Sequence, residues 1–337
     1  MLTECRTGSS IQTVKKGLAV INTFGPDNII AIGGGSAMDA AKIIWLLYEH
    51  PEADFFNIKQ KFLDLRKRAF KFPTMGKKAR LICIPTTSGT GSEVTPFVVI
   101  SDTGKKYPFA TYSLTPSVAI IDPMFCVSLT KRVIADCGID VLVHAIEAYV
   151  SVMANEYTDG LAKEAVKLAF DNLVKSYNGD LIAREKMHNA ATIAFSSAFF
   201  GIAHSTTHKV GAVFHVPNGK CVAVLLPRVI RYNCVVPRKL VMWLKYSIYV
   251  ADQRYQQLAQ LIGLKAETAA EGVELFAKAC EKLLKDTETI TGFKQAGIAE
   301  DVWMSHIKEM ALLAFGDQCS PCNQEFQSRN SIKRFII

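Results

Sequence analysis

The sequence predicts an α/β, Rossmann-like nucleotide-binding domain over residues 1–126, followed by an all-α, metal-binding domain over residues 127–337. Three observations carry that expectation. Strand-like and helical segments alternate as far as about residue 126. Two glycine-rich loops each follow directly on a strand. From about residue 131 long helical periods take over, carrying histidines and a carboxylate at one-turn spacing. A chain of 337 residues, 49% apolar and 21% charged, has material for two cores, and that composition excludes a disordered chain.

In chain order, the periodicity predicts a helix over residues 14–24 and a short buried strand over 28–32. A strong helix follows over 37–48, then strands over 81–84, 98–100 and 118–121. Between them, the stretch 59–80 holds Arg66, Lys67, Arg68, Lys77 and Lys78, which supply much of the formal net charge of +8. Phe62, Leu63 and Leu65 interleave with these cations as on an amphipathic helix, so the charge reads as a solvated face and not as a nucleic-acid surface. Beyond residue 131 helical periods dominate, as over 161–173 and 269–284, and β-branched runs thin out.

No apolar run reaches bilayer length, and the opening residues lack the basic-then-apolar layout of a secretory signal. A cytoplasmic location without membrane contact is the expectation. The nine cysteines are scattered, with a single CxxC at Cys319 to Cys322 and no second pair to complete a zinc site. Reduced thiols with packing roles are expected.

The segment NIIAIGGGSAMDAAK sets Gly33, Gly34, Gly35 and Ser36 between a strand and a helix. Glycines let the backbone approach a ligand, and a helix start offers N–H groups to an anion such as a diphosphate. The pattern is neither G-x-G-x-x-G nor a P-loop, and alone it is equally well explained by a tight turn. A second loop, LICIPTTSGTGSEVTPF, packs Thr86, Thr87, Ser88, Gly89, Thr90, Gly91 and Ser92 into one turn after another strand. Hydroxyls at that density make a polar cradle for phosphate or ribose, and two such loops in one α/β half point to a nucleotide.

In the helical half, GIDVLVHAIEAYV sets Asp140 and His144 four residues apart on one helix face. Farther on, IAHSTTHKVGAVFHVPNGK supplies His204, His208 and His215, from a chain with seven histidines in all. A carboxylate with imidazoles and no thiolate suits Fe²⁺ or Zn²⁺ better than Mg²⁺ or Ca²⁺. The two halves complement each other chemically. A nicotinamide accepts hydride, a Lewis-acidic cation lowers the pKa of an alcohol, and a base or relay removes the proton. His208, one helical turn after His204, is the candidate for that proton transfer.

Six stretches together resemble the iron-containing alcohol dehydrogenase family: PDNIIAIGGGSAMDAAKIIWLLYEHPE, TTSGTGSEVTPF, KKYPFATYSLTPSVAIIDP, GIDVLVHAIEAYVSV, HSTTHKVGAVFHVP and FGDQC. YEHPE and FGDQC favour the alcohol dehydrogenase domain of the bifunctional aldehyde–alcohol dehydrogenases of fermentative microbes. The resemblance implies a dehydroquinate synthase-like fold, NAD and Fe²⁺ as cofactors with Zn²⁺ as a substitute, ethanol and acetaldehyde as substrates, and a homo-oligomer. By position, it implies that Gly34, Gly35 and Ser36 touch the NAD diphosphate and that Thr86, Thr87, Ser88 and Ser92 line the nucleotide and nicotinamide. Asp39 and Lys106 join the cofactor-binding set. Asp140, His144 and His204 match three of the four metal ligands, and His208 matches a histidine assigned to proton transfer.

The chain departs from the family at the fourth ligand. Where the family has Pro-His-Gly, this sequence has Pro217, Asn218 and Gly219. Asn218 can coordinate only through a neutral, harder carbonyl oxygen, so weaker metal affinity is expected. His215 matches a histidine common in the subgroup. The segment ATIAFSSAFFGIAH is about three residues shorter than the family's, nearly one turn, which would rotate His204 relative to Asp140. The family's first strands, with the acidic residue that reads the adenosine ribose, lie ahead of the match; an exposed sheet edge is expected, and NAD against NADP stays open. Besides the enzyme, one alternative is a non-catalytic or metal-impaired remnant serving as a binding or assembly module. Another is a different chemistry on the same scaffold, such as glycerol oxidation or a synthase, which the subgroup-specific stretches disfavour.

Overall fold

A computed structural model describes residues 9–53, 73–102, 105–196, 200–235, 249–317 and 319–323. Arg66, Lys67 and Arg68 of the basic stretch lie outside the described residues. The chain divides into two compact units, Met1–Ser128 and Leu129–Ile337.

The first unit opens with α1 (Ile11–Phe24), whose N-terminus is capped by the Ser10 hydroxyl accepting from Thr13 N at 3.1 Å. The strand β1 (Asn28–Gly33), the helix α2 (Gly35–Glu49) and the strand β2 (Arg80–Pro85) follow. Strands β1 and β2 pair in parallel, and β5 (Val118–Ala119) adds to the other side of β2, giving the order β1-β2-β5. Only two residues of β5 are in the ladder, fewer than the expected 118–121. The chain then turns away through a short 3-10 turn, Pro123–Cys126, capped by Asp122. Among the described residues strand β1 is an edge, and its Ile30 and Ile32 are exposed.

The strand expected at 98–100 is present as β3 (Phe97–Asp102), but it is not part of the parallel sheet. It pairs antiparallel with β4 (Lys105–Ala110), Asp102 opposite Lys105. Two residues between the strands suffice for a hairpin, whereas a parallel partner needs a crossover of about a dozen. Pro108 inside β4 masks that strand in sequence, since proline cannot donate to a ladder.

In the second unit α3 (Lys131–Tyr149) is the central helix, packed against α4 (Glu156–Tyr177), α5 (Leu181–Phe195) and α7 (Asn218–Asn233). Every residue from Gly138 to Tyr149 is buried, as befits a helix covered on all sides. Helix α6 (Ile202–Phe214) packs on α7 and on α10 (Glu300–Phe315), while α8 (Ala251–Leu261) and α9 (Ala269–Asp286) pack against each other. Gly219 fixes the approach of α7 to α3. A Cβ there would lie 2.1 Å from the Asp136 carbonyl oxygen, so only glycine fits, and its neighbour Asn218 is thereby held beside Asp140. Among the described residues no helix is long and apolar enough to cross a membrane.

Candidate active site

In the first unit the two glycine loops face each other. Thr86 N donates to Gly33 O at 3.0 Å, tying the end of β2 to the end of β1. Helix α2 then begins without a side-chain cap. A Cβ on Gly34 would lie 3.2 Å from Thr87 Oγ1, and one on Gly35 would lie 2.8 Å from Thr90 Cγ2. These glycines therefore let the second loop close over the first, a packing requirement beside any contact to a ligand. The hydroxyls of Thr87 and Thr90 are buried and have no hydrogen-bond partner among the described residues, which fits a cradle that awaits polar atoms.

Ser92, Asp39 and Ser88, also expected in this cradle, bond to other protein groups. Ser92 Oγ donates to Asp39 Oδ1 at 2.7 Å, and Val99 N donates to Asp39 Oδ2 at 2.8 Å. Both Asp39 oxygens are thus engaged in bracing α2 against the second loop and β3. Lys42, one turn on, is fully buried and donates to the carbonyls of Thr95 at 2.8 Å and Phe97 at 2.9 Å. Burial pushes its ammonium down to about 8, against the opposing pull of Asp39. Sequence reasoning missed Lys42, whose signal was its i+3 spacing from Asp39. Ser88 is buried and donates to Cys126 Sγ at 3.5 Å. Lys106 sits opposite Ser101 in the β3–β4 ladder, and its side chain lies outside the described set.

In the second unit α3 and α6 bring Asp140, His144 and His204 together. All three are buried, and one ligand atom from each lies within 4.8 Å of the others. Asp140 Oδ1 is 3.8 Å from His144 Nε2 and 3.5 Å from His204 Nε2. The imidazoles stack with centroids 4.5 Å apart, and Phe195 and Phe200 wall the pair off. The short α5–α6 segment does not turn His204 away from Asp140. His204 Nε2 is buried without a hydrogen bond, and a carboxylate with two imidazoles is a donor set for Fe²⁺ or Zn²⁺; the residues fit a divalent cation.

Asn218, expected as the fourth ligand, presents an N–H donor. Asn218 Nδ2 donates to Asp140 Oδ1 at 2.8 Å, so its oxygen would face the centre only after the amide turned over. His215 caps α6 in the left-handed conformation, φ 55°, and is exposed. It is therefore no substitute ligand.

Glu147 went unassigned in the sequence, although it lies at i+7 from Asp140 on the same face of α3. Its Oε2 is 2.6 Å from His204 Nδ1, and its Oε1 accepts from Ala203 N at 2.6 Å. One carboxylate thus orients the imidazole and caps α6, whose first residue has no side-chain cap of its own. Burial would lower the pKa of His204, but the neighbouring carboxylates of Asp140 and Glu147 outweigh it and raise it to about 9. The Asp140 carboxyl, raised by burial alone, is held low by His144, His204 and Asn218. The pocket favours positive charge.

His208, one turn beyond His204, has its ring centroid 6.4 Å from that of His204. Its Nδ1 is 3.2 Å from Oδ2 of Asp317, in the turn after α10.

Comparison with known proteins follows the same division. The iron-containing alcohol dehydrogenase family model matches residues 2–123, and that of the Fe-containing alcohol dehydrogenase family, C-terminal, matches residues 134–336. The chain is 79% identical over 319 residues to aldehyde-alcohol dehydrogenase 2 of Entamoeba histolytica, covering 93% of this chain and 37% of that protein. It is 39% identical to the NADPH-dependent butanol dehydrogenase of Clostridium saccharobutylicum, with 97% and 80% covered. An iron-containing alcohol dehydrogenase structure from Thermococcus thioreducens superposes with a TM-score of 0.84 at 30% identity, covering 98% of this chain and 82% of that one. The chain spans little more than a third of the aldehyde–alcohol dehydrogenases it matches.

Proposed function

Because the chain belongs to the iron-containing alcohol dehydrogenase family, we propose that it interconverts short primary alcohols and aldehydes, ethanol and acetaldehyde first, using a nicotinamide dinucleotide. The observation that carries this reading is the buried convergence of Asp140, His144 and His204 with the orphaned Nε2 of His204. When bound there, Fe²⁺ or Zn²⁺ supplies Lewis acidity to an alcohol oxygen. Asp140, His144 and His204 hold the cation, Glu147 fixes His204, and Phe195 and Phe200 limit water. In the other unit, the Gly34–Gly35 turn and the Thr86–Thr87–Ser88 loop with Thr90 seat the diphosphate and ribose, held in shape by Asp39, Lys42 and Ser92. His208 takes the proton that accompanies hydride loss.

The chain without added metal, then supplied with Fe²⁺ or Zn²⁺, is assayed for NADH and NADPH formation with ethanol and butanol. Turnover that appears with metal and vanishes in Asp140→Ala supports the reading. A folded, metal-loaded chain that turns over none of these substrates with either dinucleotide overturns it. Parallel assays of the two dinucleotides address NAD against NADP, and light scattering tests the homo-oligomer that belongs to the same reading. The comparisons lend no support to a non-catalytic remnant.

A further inference from the structure

The FGDQC stretch has no role in the reading above, yet its aspartate reaches across to α6. Asp317 is buried, in the turn that follows α10. Its Oδ1 accepts from Cys319 N at 3.1 Å, and its Oδ2 accepts from Lys209 Nζ at 2.6 Å and faces His208 Nδ1 at 3.2 Å. We propose that Asp317 is the positioning residue of His208, holding the proton on Nδ1 and leaving Nε2 as the nitrogen that exchanges a proton during alcohol oxidation.

An ionised carboxylate can only accept hydrogen bonds, so the ring nitrogen against Asp317 is the one that carries hydrogen. The neutral ring then has its lone pair on Nε2. The carboxylate is held by a backbone N–H and an ammonium as well as by the ring, so it cannot follow the imidazole if that swings. In the oxidative direction the alcohol loses a hydride to the nicotinamide and a proton to His208 Nε2, directly or through a relay. The resulting imidazolium keeps its Nδ1 proton against Asp317 and returns the Nε2 proton to solvent.

His208, Asp317 and Cys319 also place ligand atoms within 4.8 Å of one another, the spacing of a second cation site. The chemistry argues against that occupant. The Lys209 ammonium already sits on the Asp317 oxygen that faces His208, and burial holds the Cys319 thiol well above its usual range, so it stays protonated.

The proposal rests on His208 as the proton-transfer residue, so the test separates the two. The full chain loaded with Zn²⁺ and labelled with ¹⁵N-histidine is examined by NMR, with His208→Gln identifying the His208 signal. The wild type is expected to show the Nδ1–H tautomer, and Asp317→Asn to shift it toward Nε2–H. In that variant kcat should fall at least about tenfold, while the Kd for NADH changes less than twofold. Asp317→Glu, which keeps the charge, should recover part of both signals, and the charge-free Asp317→Ser is read in place of Asp317→Asn should the latter not fold. Retention of the Nδ1–H tautomer in a folded, charge-free variant, or a wild-type kcat there while His208→Gln is slow, overturns the role of Asp317. A wild-type rate in His208→Gln overturns instead the role of His208, and the tautomer still decides whether Asp317 orients the ring.

Discussion

The side-chain amide of Asn218 donates to Oδ1 of Asp140 at 2.8 Å, the same oxygen that faces His144 and His204. The residue expected as a fourth ligand therefore presents a hydrogen-bond donor to that oxygen. Two ligand states follow. With the amide as it is, a bound cation would have three protein ligands; were it to turn over, Asn218 would add a neutral oxygen. In both, affinity is below that of a four-ligand site. Asn218→His is expected to raise Zn²⁺ and Fe²⁺ affinity at least about tenfold by competition with a chelator, about 1.4 kcal/mol. Equal, full occupancy in both proteins as purified would contradict it.

Glu147 holds the other side of His204. Replacing it by glutamine leaves a group of the same shape without charge. Affinity for Zn²⁺ should fall about 10- to 100-fold, as when the carboxylate behind a metal-binding imidazole is removed. Glu147→Ala should do more, because the Ala203 amide then loses its acceptor as well. Unchanged affinity in Glu147→Gln would show that packing alone orients His204.

In the other unit the test is steric. Gly35→Ala would press its methyl to within 2.8–3.0 Å of three Thr90 atoms, forcing the loops apart. Strain of about 1–3 kcal/mol is expected, read as weaker NADH binding by roughly 5- to 150-fold. Adding Thr90→Ser, which keeps the hydroxyl and removes the Cγ2 that a Gly35 Cβ would meet at 2.8 Å, should recover part of the loss, measured by quenching of NADH fluorescence. Failure of the second substitution to restore any affinity would mean that Gly35 matters through its backbone and not through the space beside Thr90.

Asp317 gives the pH dependence a sign. Burial alone would raise its pKa, but His208 and Lys209 hold it well below the ordinary 3.8. A folded-state pKa below the unfolded one means that the stabilisation is complete above the unfolded value and is lost as pH falls through the folded one. Melting temperature should therefore drop as the solution is taken below about pH 4. Asp317→Asn should melt lower at neutral pH, by about 3–5 kcal/mol of stability, and lose less on acidification. Parallel acid curves for the two proteins would remove Asp317 as the cause.

Much of this was legible because it is local. Glycine after a strand, hydroxyls crowded into one turn, and polar residues four apart on a helix are short-range patterns, and the convergence of Asp140 with His144 follows from helix pitch. What was not legible is long-range or disguised. Nothing in the run of residues says that Asp39 accepts from Ser92 and Val99. Asp317 lies 109 residues from the histidine it meets. Glu147 was within reach of periodicity, but a carboxylate among buried apolar neighbours gives no hint of which imidazole it serves until α6 is laid against α3.

The two bonds of Glu147 have one more consequence. Its carboxylate ends the backbone of α6 and steers the imidazole two residues inside it, so emptying the centre and fraying that helix draw on the same contacts. Amide hydrogen exchange at the start of α6 should quicken when the cation is stripped and slow when it is returned, making the first turn of this helix an internal gauge of metal load.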